Sequence, residues 1–359
     1  QKEFIRLTEE QFSLLDFLQG TPRAAIAGCA GSGKTLLAAE KARRLAIQGW
    51  RVLLTCYNRN LATFLRDDYM RNRPPSLEIA NFHQLATTLV KRSGQRPPGR
   101  FAGSSEQSRY FAETLPEQLV DAADILGPQF DAIVVDEAQD FQQNWWTPLQ
   151  FLLPEPDNST FYIFYDDNQN IYGGLRQVKN LAQTYPLTKN FRNTQRINDV
   201  VEHFYNSDHT ITAVGPEGRD VPLLVYRDDR AMIEHLRKTL HNLINVNEVD
   251  TRDIVILTPV SAGKSALSRA GRLGSFLLTR NWDTDYNEIF YETIHSFKGL
   301  ESPVIILTEI AADISSKADE LLYVGCSRAR NHLVVICHED AQELFSSVDS
   351  VSLDQGNAR

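Results

Sequence analysis

Short apolar runs alternate with helical patterns along the whole 359-residue chain. In the first half, β-prone runs lie at 24–27, 51–55, 77–80, 130–135 and 160–165, and a helix is predicted at 34–47. In the second half, such runs lie at 223–225, 254–257, 304–307 and 333–336, with helical stretches around 230–243 and 319–329. This alternation predicts parallel sheets covered by helices on both faces. We therefore expect an α/β fold of two doubly wound domains, 1–188 and 189–359, the first with a short helical insertion at about 91–128.

Composition narrows the class of protein. The 42% hydrophobic and 23% charged content is that of an ordinary soluble globular protein. No apolar run of about eighteen residues exists, so no membrane span is expected, and four cysteines without metal-ligand spacing indicate a reducing, cytoplasmic location. The net charge of −9 argues against an overall basic coat for nucleic acid but leaves room for a local basic groove. The start at Gln1 suggests a processed chain, a trimmed one or a piece of something longer.

The segment Gly28–Thr35 has the spacing G-x-x-x-x-G-K-T between a predicted strand and a predicted helix. In such a loop the backbone N–H groups approach phosphates, and the helix dipole favours the anion. Lys34 would reach the β- and γ-phosphates, and Thr35 would ligate Mg²⁺. The phosphate-contacting positions are Gly28, Ala30, Gly31, Ser32, Gly33, Lys34 and Thr35. A chance match is the alternative, and the strand–loop–helix context weighs against it.

An acidic pair, Asp136 and Glu137, follows the apolar run 130–135. The carboxyl ends of strands are where ligands bind in open α/β sheets. Asp136 is expected to hold Mg²⁺, and Glu137 to orient or deprotonate an attacking water. Asp–Glu pairs elsewhere are usually solvated loop acids, but the preceding strand and the phosphate loop favour the catalytic interpretation. The two motifs together predict a nucleoside triphosphatase.

Further segments, in order, resemble the motifs of superfamily 1 helicases of the UvrD/Rep type. They are 7–11, 55–58, 80–83, 166–172, 189–193, 292–301 and 322–330. The resemblance implies two RecA-like domains with ATP in the cleft between them, and ATP hydrolysis that drives movement along single-stranded DNA or a junction of single and double strand. The fifth-motif residues T-I-H-S-x-K-G-L-E, at 293–301, are typical of the UvrD/Rep branch, which implies 3′–5′ polarity.

The resemblance also assigns roles at the nucleotide. Gln11 would read the adenine edge, Gln169 would sense the γ-phosphate, and Phe191 would stack on adenine. Arg192 and Arg328 would act as arginine fingers, and Glu301 would belong to the nucleotide-binding set. Such arginines stabilise transition-state charge and contribute about 10³–10⁵ in rate in comparable enzymes. The alternative is that both arginines are surface salt-bridge partners.

For nucleic acid, the resemblance implies contacts from Tyr57, Asn58, Phe82, His83, Tyr172, Thr293 and His295. Aromatic faces stack on bases without sequence preference. Phe82 could equally be a core aromatic, and His295 a hydrogen-bonded structural residue. Trp145 and Trp146 are predicted to pack in the protein interior rather than to form a stacking platform.

Two departures from the family shape the functional hypothesis. Gly173 and Gly174 follow Tyr172, where many relatives carry an arginine and a DNA-stacking tryptophan, and the intervals between motifs leave no room for a large duplex-engaging domain. We expect a compact motor that unwinds poorly alone, of the kind often joined to a nuclease. The competing hypothesis is a nucleotide-gated regulatory ATPase that controls a partner or fused nuclease. RNA stays open as a substrate, because stacking and backbone contacts barely distinguish it from DNA.

Overall fold

The computed structural model describes residues 12–98, 100–166, 168, 182–205, 211–282, 284–314 and 318–353. By its internal contacts the chain divides into two compact units, Gln1–Thr188 and Lys189–Arg359. Within the described ranges, no helix is both long and apolar enough to cross a membrane.

The first unit contains one fully parallel six-stranded sheet. Its strands are β1 (Arg23–Gly28), β2 (Val52–Cys56), β3 (Leu77–Asn81), β4 (Ala132–Val135), β5 (Thr160–Tyr165) and β6 (Gln183–Leu187). Their order in the sheet is β3-β2-β4-β5-β1-β6. Strands β2, β4 and β5 are buried along their whole length, because helices cover both faces of a parallel sheet.

The helices of this unit connect the strands and cover the sheet. They are α1 (Lys34–Ile47), α2 (Arg59–Phe64), α3 (Phe82–Arg92), α4 (Ser104–Arg109), α5 (Leu115–Leu126) and α6 (Trp146–Phe151). Wider π-helical turns continue α2 over Leu65–Tyr69 and join α4 to α5 over Tyr110–Thr114. The predicted helical insertion thus corresponds to α4 and α5. Its apolar side chains Tyr110, Leu115 and Leu119 are buried in the same core as strands β4 and β5.

The second unit contains an eight-stranded sheet and a two-stranded ribbon. Their strands are β7 (Lys189–Asn190), β8 (Thr212–Ala213), β9 (Val221–Tyr226), β10 (Ile254–Thr258), β11 (Arg272–Leu273), β12 (Phe276–Thr279), β13 (Glu288–Thr293), β14 (Ser302–Ile310), β15 (Ala329–His338) and β16 (Val351–Leu353). The large sheet has the order β11-β12-β13-β10-β14-β15-β9-β16, and only β11–β12 is antiparallel. Strands β7 and β8 form the ribbon.

Four α-helices accompany these strands in the described part of the second unit. They are α7 (Gln195–His203), α8 (Asp229–His241), α9 (Ala266–Ala270) and α10 (Ala318–Cys326). Each of α7 and α8 begins at a side-chain cap, since Thr194 accepts from the Ile197 N–H and Asp228 accepts from the Ala231 N–H. The predicted α/β class with doubly wound parallel sheets is confirmed in both units.

An aromatic cluster fills the core of the first unit beside α3 and α6. Phe82 is fully buried and stacks on Trp145, with ring centroids 4.3 Å apart and planes 6° from parallel. Phe141 packs edge-on against both rings at 6.0 and 5.4 Å. Trp145 and Trp146 are each 1% exposed, so the prediction that they pack inside the protein is confirmed.

Replacement of Phe82 by alanine is expected to lower the free energy of unfolding of the first unit by about 3–5 kcal/mol, because it leaves a cavity under a stacked indole. Urea denaturation measures the change. The matched control is Phe17→Ala, whose side chain is 75% exposed and whose loss should cost well under about 1 kcal/mol. Equal losses in the two variants would contradict the assignment of Phe82 to the core.

Candidate functional site

Three segments meet at the carboxyl edge of the first sheet. Strand β5 lies between β1 and β4, and all three run parallel. Parallel neighbours end at the same edge of a sheet, which is where ligands bind in folds of this class. The loop after β1, the start of the segment after β5, and the acidic pair after β4 are therefore neighbours.

Lys34 lies inside this edge and is 7% exposed. Its ammonium donates hydrogen bonds to the carbonyl oxygens of Gly28 at 2.7 Å and Cys29 at 2.8 Å. It also lies 3.3 Å from Oδ2 of Asp166, a carboxylate that is 1% exposed. A buried cation needs such compensation, since an unpaired charge in the interior is strongly unfavourable. Asp166 is thus a member of the site that the motif comparison had not singled out.

The loop itself depends on glycine. Gly31 and Gly33 have φ values of 77° and 84°, in the left-handed region that side chains disfavour. At Gly28, a Cβ atom would lie 2.5 Å from Oγ of Ser32, whose hydroxyl donates to the Cys29 carbonyl at 2.8 Å. Helix α1 begins directly after Gly33. The backbone conformation of the loop is therefore fixed by its residue types at these three positions.

Asp136 is fully buried, and neither of its carboxylate oxygens has a hydrogen-bond partner within the usual geometric limits among the described residues. Burial raises the pKa of this carboxyl to about 7, and the adjacent Glu137 adds to the rise. The nearby Thr35 hydroxyl and Lys34 ammonium oppose it. Unsatisfied buried polar groups are rare in folded proteins. A carboxylate and a hydroxyl are oxygen ligands of the kind Mg²⁺ prefers, so these residues fit the ion that the sequence predicts.

Glu137 is held in an unusual backbone conformation next to Asp136. Its φ of 52° is in the left-handed region, and it is 6% exposed. Gln139 donates through Nε2 to the Glu137 carboxylate, and its Oε1 accepts from the Asp166 backbone N–H at 2.9 Å. Gln139 thus ties the acidic pair to the end of β5. Strained backbone of this kind concentrates at functional sites, and Gln139 is a second residue that the sequence interpretation missed.

The second unit brings together three of the residues predicted at the nucleotide. Arg192 forms an ion pair through Nε with Oε2 of Glu301, and Arg330 Nη1 lies 3.8 Å from Oε1 of the same carboxylate. Burial alone would raise the pKa of Glu301, but the charges of Arg192, Arg330 and Arg328 outweigh it and lower that pKa. Glu301 is therefore paired with Arg192, and the charges of Arg330 and Arg328 act on it from a greater distance.

Arg328 is 2% exposed. Its guanidinium donates from Nε to the Val324 carbonyl at 3.0 Å, from Nη1 to the Leu300 carbonyl at 3.4 Å, and from Nη2 to the Ser327 hydroxyl at 3.2 Å. These contacts hold the side chain inside the protein. The alternative of a surface salt-bridge partner does not describe Arg328, whereas Arg192, whose side chain is 16% exposed, does form an ion pair with the 38% exposed Glu301.

A network of buried asparagines joins the loops that carry the two arginines. Asn190 donates from Nδ2 to Oδ1 of Asn193 and of Asn198, each at 2.8 Å, and its own Oδ1 accepts from the Arg192 N–H at 3.0 Å. Asn193 in turn donates to the carbonyl oxygens of Ser327 at 3.2 Å and Ala329 at 2.5 Å. These two carbonyls flank Arg328 in the chain. Apart from the asparagines of the fourth motif, no pattern in the sequence predicts this network.

The residues predicted to contact nucleic acid in the first unit are largely structural here. Asn58 accepts from the N–H groups of Asn60 and Leu61 and so caps α2. Tyr57 is half-buried against Trp145 and His83, with ring centroids 5.7 and 5.9 Å apart. The structure corrects the expectation for Phe82, because a fully buried ring has no face free for a base.

His83 is partly buried among aromatic rings, and its Nε2 has no hydrogen-bond partner in the described structure. Burial lowers the pKa of this imidazole, against a smaller opposing effect of the Phe111 backbone. His83 is therefore neutral at pH 7. A neutral ring of this kind could contact a base but contributes no charge toward phosphate.

The fifth-motif residues of the second unit lie at the end of β13. Thr293 donates through Oγ1 to the Ser296 hydroxyl at 3.0 Å and accepts from the Ser296 N–H at 3.2 Å, which closes a turn. His295 is exposed, and partial burial together with the charge of Lys298 lowers its pKa. Phe191 is half-buried. Gln11, Gln169 and Tyr172 lie outside the described residues.

Two family models match the chain. The model of the UvrD-like helicase C-terminal domain matches residues 288–336, and that of the Type III restriction enzyme, res subunit, matches residues 1–154. The first match spans Thr293 and Arg328, and the second spans the phosphate loop and Asp136. No curated protein sequence matches the chain.

Solved structures also resemble the chain, among them the following two. PRRSV helicase superposes with a TM-score of 0.44 at 13% identity, and the match covers 94% of this chain and 55% of that one. The C-terminal domain of a possible DNA helicase from Lactobacillus plantarum WCFS1 superposes with a TM-score of 0.35 at 21% identity, covering 45% of this chain and 98% of that one. The chain therefore spans about half the length of PRRSV helicase.

The two domain matches carry the assignment. The matched ranges contain the phosphate loop, the acidic pair and the fifth and sixth motifs. The parallel sheets described above have the architecture these domains require. The two matches therefore support a superfamily 1 helicase-type protein, and the parallel α/β sheets fit two RecA-like domains.

Proposed function

We propose that this protein hydrolyses ATP with Mg²⁺ and uses the energy to move along single-stranded DNA, in the 3′–5′ direction. The observation that carries the proposal is the fully buried carboxylate of Asp136, which lies near the Thr35 hydroxyl and the Lys34 ammonium at the carboxyl edge of the first sheet. A protein keeps such a costly group where it has a ligand to hold. The direction of movement rests on the resemblance of residues 293–301 to the UvrD/Rep motif.

In this proposal the first unit binds the triphosphate. The loop Gly28–Thr35 surrounds the phosphates, and Lys34 exchanges its bonds to the Gly28 and Cys29 carbonyls for the β- and γ-phosphates. Thr35 and Asp136 would hold Mg²⁺, which supplies charge neutralisation of the phosphates. Glu137 orients the attacking water and accepts its proton, and Gln139 fixes the direction of the Glu137 carboxylate. Gln11 and Gln169 would read the adenine and the γ-phosphate, as the resemblance implies.

The second unit supplies positive charge. Arg192 and Arg328 would stabilise the charge that develops on the transferred phosphoryl group. Glu301 holds Arg192 by an ion pair in the described structure and would release or redirect it when the nucleotide binds. Phe191 would stack on the adenine. The asparagine network keeps the two arginine-bearing loops in one register, so both can act on a single phosphate group.

The nucleic-acid contacts of the proposal are fewer than the motifs suggested. Tyr57, His83, Thr293 and His295 stay in the candidate set, together with Tyr172, and Phe82 leaves it. The helical insertion of α4 and α5 packs into the core of the first unit, and no separate duplex-engaging domain exists among the described residues. This observation favours movement on a single strand over efficient separation of duplex. The same observation is also compatible with the second candidate function, which is a nucleotide-gated ATPase that controls a partner or fused nuclease.

We expect single-stranded DNA to stimulate the steady-state ATPase rate of the purified chain, because an engaged strand would favour the hydrolytic state. The Glu137→Gln variant should lose turnover by at least about 100-fold while it still binds nucleotide. Lys34→Ala should lose both ATP turnover and nucleotide binding. An ATPase rate that ignores DNA, RNA and junction substrates alike would reject the motor and leave the gated ATPase.

The pKa of Asp136 gives a stability prediction for the protein without Mg²⁺ or nucleotide. As pH rises, the unfolded chain loses the Asp136 proton at a lower pH than the folded chain does. The folded state is therefore destabilised, relative to the unfolded state, as pH rises through about 7. Asp136→Asn should therefore raise the free energy of unfolding at pH 8 by about 1–4 kcal/mol, with a smaller gain at pH 5, while it abolishes ATP turnover.

Asp131→Asn is the matched control for this experiment. The pKa of Asp131 is lowered by its hydrogen bonds to Arg51, so its ionised form stabilises the fold at pH 8. The control variant should be slightly less stable than wild type at pH 8, opposite in sign to Asp136→Asn. Urea denaturation at pH 5 and pH 8 measures both. A loss of stability at pH 8 in Asp136→Asn would show that the carboxylate is satisfied within the protein.

The asparagine network predicts a kinetic effect at a distance from the phosphates. Asn193→Ala should lower kcat by about 10- to 100-fold with a smaller change in KM, because displaced arginines fail chiefly in the transition state. Nucleotide binding, measured separately, should stay within a few-fold. The control is Asn245→Ala, an exposed residue beyond α8. A change confined to KM would mean that the network serves ground-state binding only.

A further inference from the structure

One large aromatic side chain in the second unit is exposed and yet held in place. Trp282 is 50% exposed, whereas Trp145 and Trp146 are 1% exposed. Its ring meets Phe290 edge-on at 5.0 Å and packs at a tilt against Phe297 at 5.6 Å. Phe297 is fully buried and anchors the pair. The indole is therefore supported from behind while half of its surface faces solvent.

The topology places Trp282 beside the fifth motif. Strands β12 and β13 are parallel neighbours, with Thr279 opposite Phe290. Trp282 follows β12 by three residues, and the segment from Thr293 to Lys298 follows β13, so both leave the sheet at its carboxyl edge. The next strand, β10, ends there too, and its Thr258 carbonyl accepts from the Ile294 N–H at 3.0 Å.

The surroundings of the ring are polar rather than apolar. Asn281 is exposed next to it, and Lys264 is exposed in the segment after β10, at the same edge. Arg280 is bound to the largely buried carboxylate of Glu292, with Nε 3.2 Å from Oε2. A single aromatic face at a polar edge suits a base better than an apolar protein groove would.

We infer that Trp282 is a stacking site for a base of single-stranded DNA. The assignment rests on the proposed function, and it names a contact outside every helicase motif of the chain. It supplies the second unit with an exposed aromatic face. Aromatic support from Phe290 and Phe297 pre-orients the indole, so little side-chain freedom is lost on binding.

The test is equilibrium binding of a fluorescein-labelled oligothymidylate to the full chain, followed by anisotropy. Trp282→Ala should weaken binding by about 5- to 150-fold, the range for loss of one stacked base. Trp282→Phe should retain part of the affinity. The control is Tyr286→Ala, since Tyr286 is 84% exposed in the same connection but lies at the opposite edge, where its carbonyl accepts from the Thr251 hydroxyl.

A second readout separates stacking from a structural effect. The chain has four tryptophans, and two of them are buried, so binding should quench intrinsic fluorescence mainly through Trp282. Trp282→Phe should lose most of that quenching, whereas Trp50→Phe, which removes an indole 36% exposed in the first unit, should keep it. Wild type should bind an oligonucleotide with abasic positions more weakly than the intact oligonucleotide. Trp282→Ala should bind the two with about equal affinity.

The outcomes distinguish this inference from the proposed function. If wild type binds oligothymidylate and its ATPase is stimulated, but Trp282→Ala behaves as wild type, the stacking site is wrong and the motor stands. If wild type binds no single-stranded DNA at all, the proposed function is rejected, and the stacking site is rejected with it. Unchanged quenching in Trp282→Phe would likewise overturn the stacking site, whatever the affinity.

Discussion

The ammonium of Lys34 lies in the interior of the first unit, and the arrangement around it follows from the need to compensate that charge. Two carbonyls of its own loop and the carboxylate of Asp166 surround it. Asp166 can do so only because β5 is inserted between β1 and β4. The same insertion places the Asp166 N–H where Gln139 can accept from it, and Gln139 holds Glu137. One buried cation thus connects the phosphate loop, the central strand and the acidic pair.

The second unit also holds positive charge in its interior, and different groups compensate it there. Its charges are guanidinium groups, and a carboxylate, three carbonyl or hydroxyl oxygens and a set of buried asparagines fix them. Buried polar networks are favourable only when every member is satisfied, and a satisfied network allows few alternative arrangements. This explains how Arg192 and Arg328, far apart in sequence, can be kept in a defined relation. Asn193 is the direct link, because its amide reaches both carbonyls that flank Arg328.

Aromatic residues show why a motif does not by itself define a contact. Phe82 stands in a segment that resembles a strand-contacting motif, yet its ring is stacked inside the core on Trp145. Trp282 stands in no such segment, yet half of its surface is exposed at the edge where the fifth motif begins. A ring contacts a base only if a face is free and its position is fixed. Burial decides the first condition, and neighbouring rings decide the second.

The sequence by itself determined the alternation of strands and helices, the bounds of α1 and β5, the phosphate loop and the position of the acidic pair, because these depend on local periodicity and on residue types with fixed chemistry. It missed the edge strand β6, whose partly exposed residues lack the apolar run of a central strand, and several strands of the second unit, among them the buried β13. Only the tertiary structure shows that Asp166, Gln139 and the three asparagines are linked to the predicted site residues, that the ring of Phe82 is buried, and that Trp282 is half exposed. These properties depend on which strands are neighbours and on which side chains lose contact with water, and no local pattern in the chain encodes either.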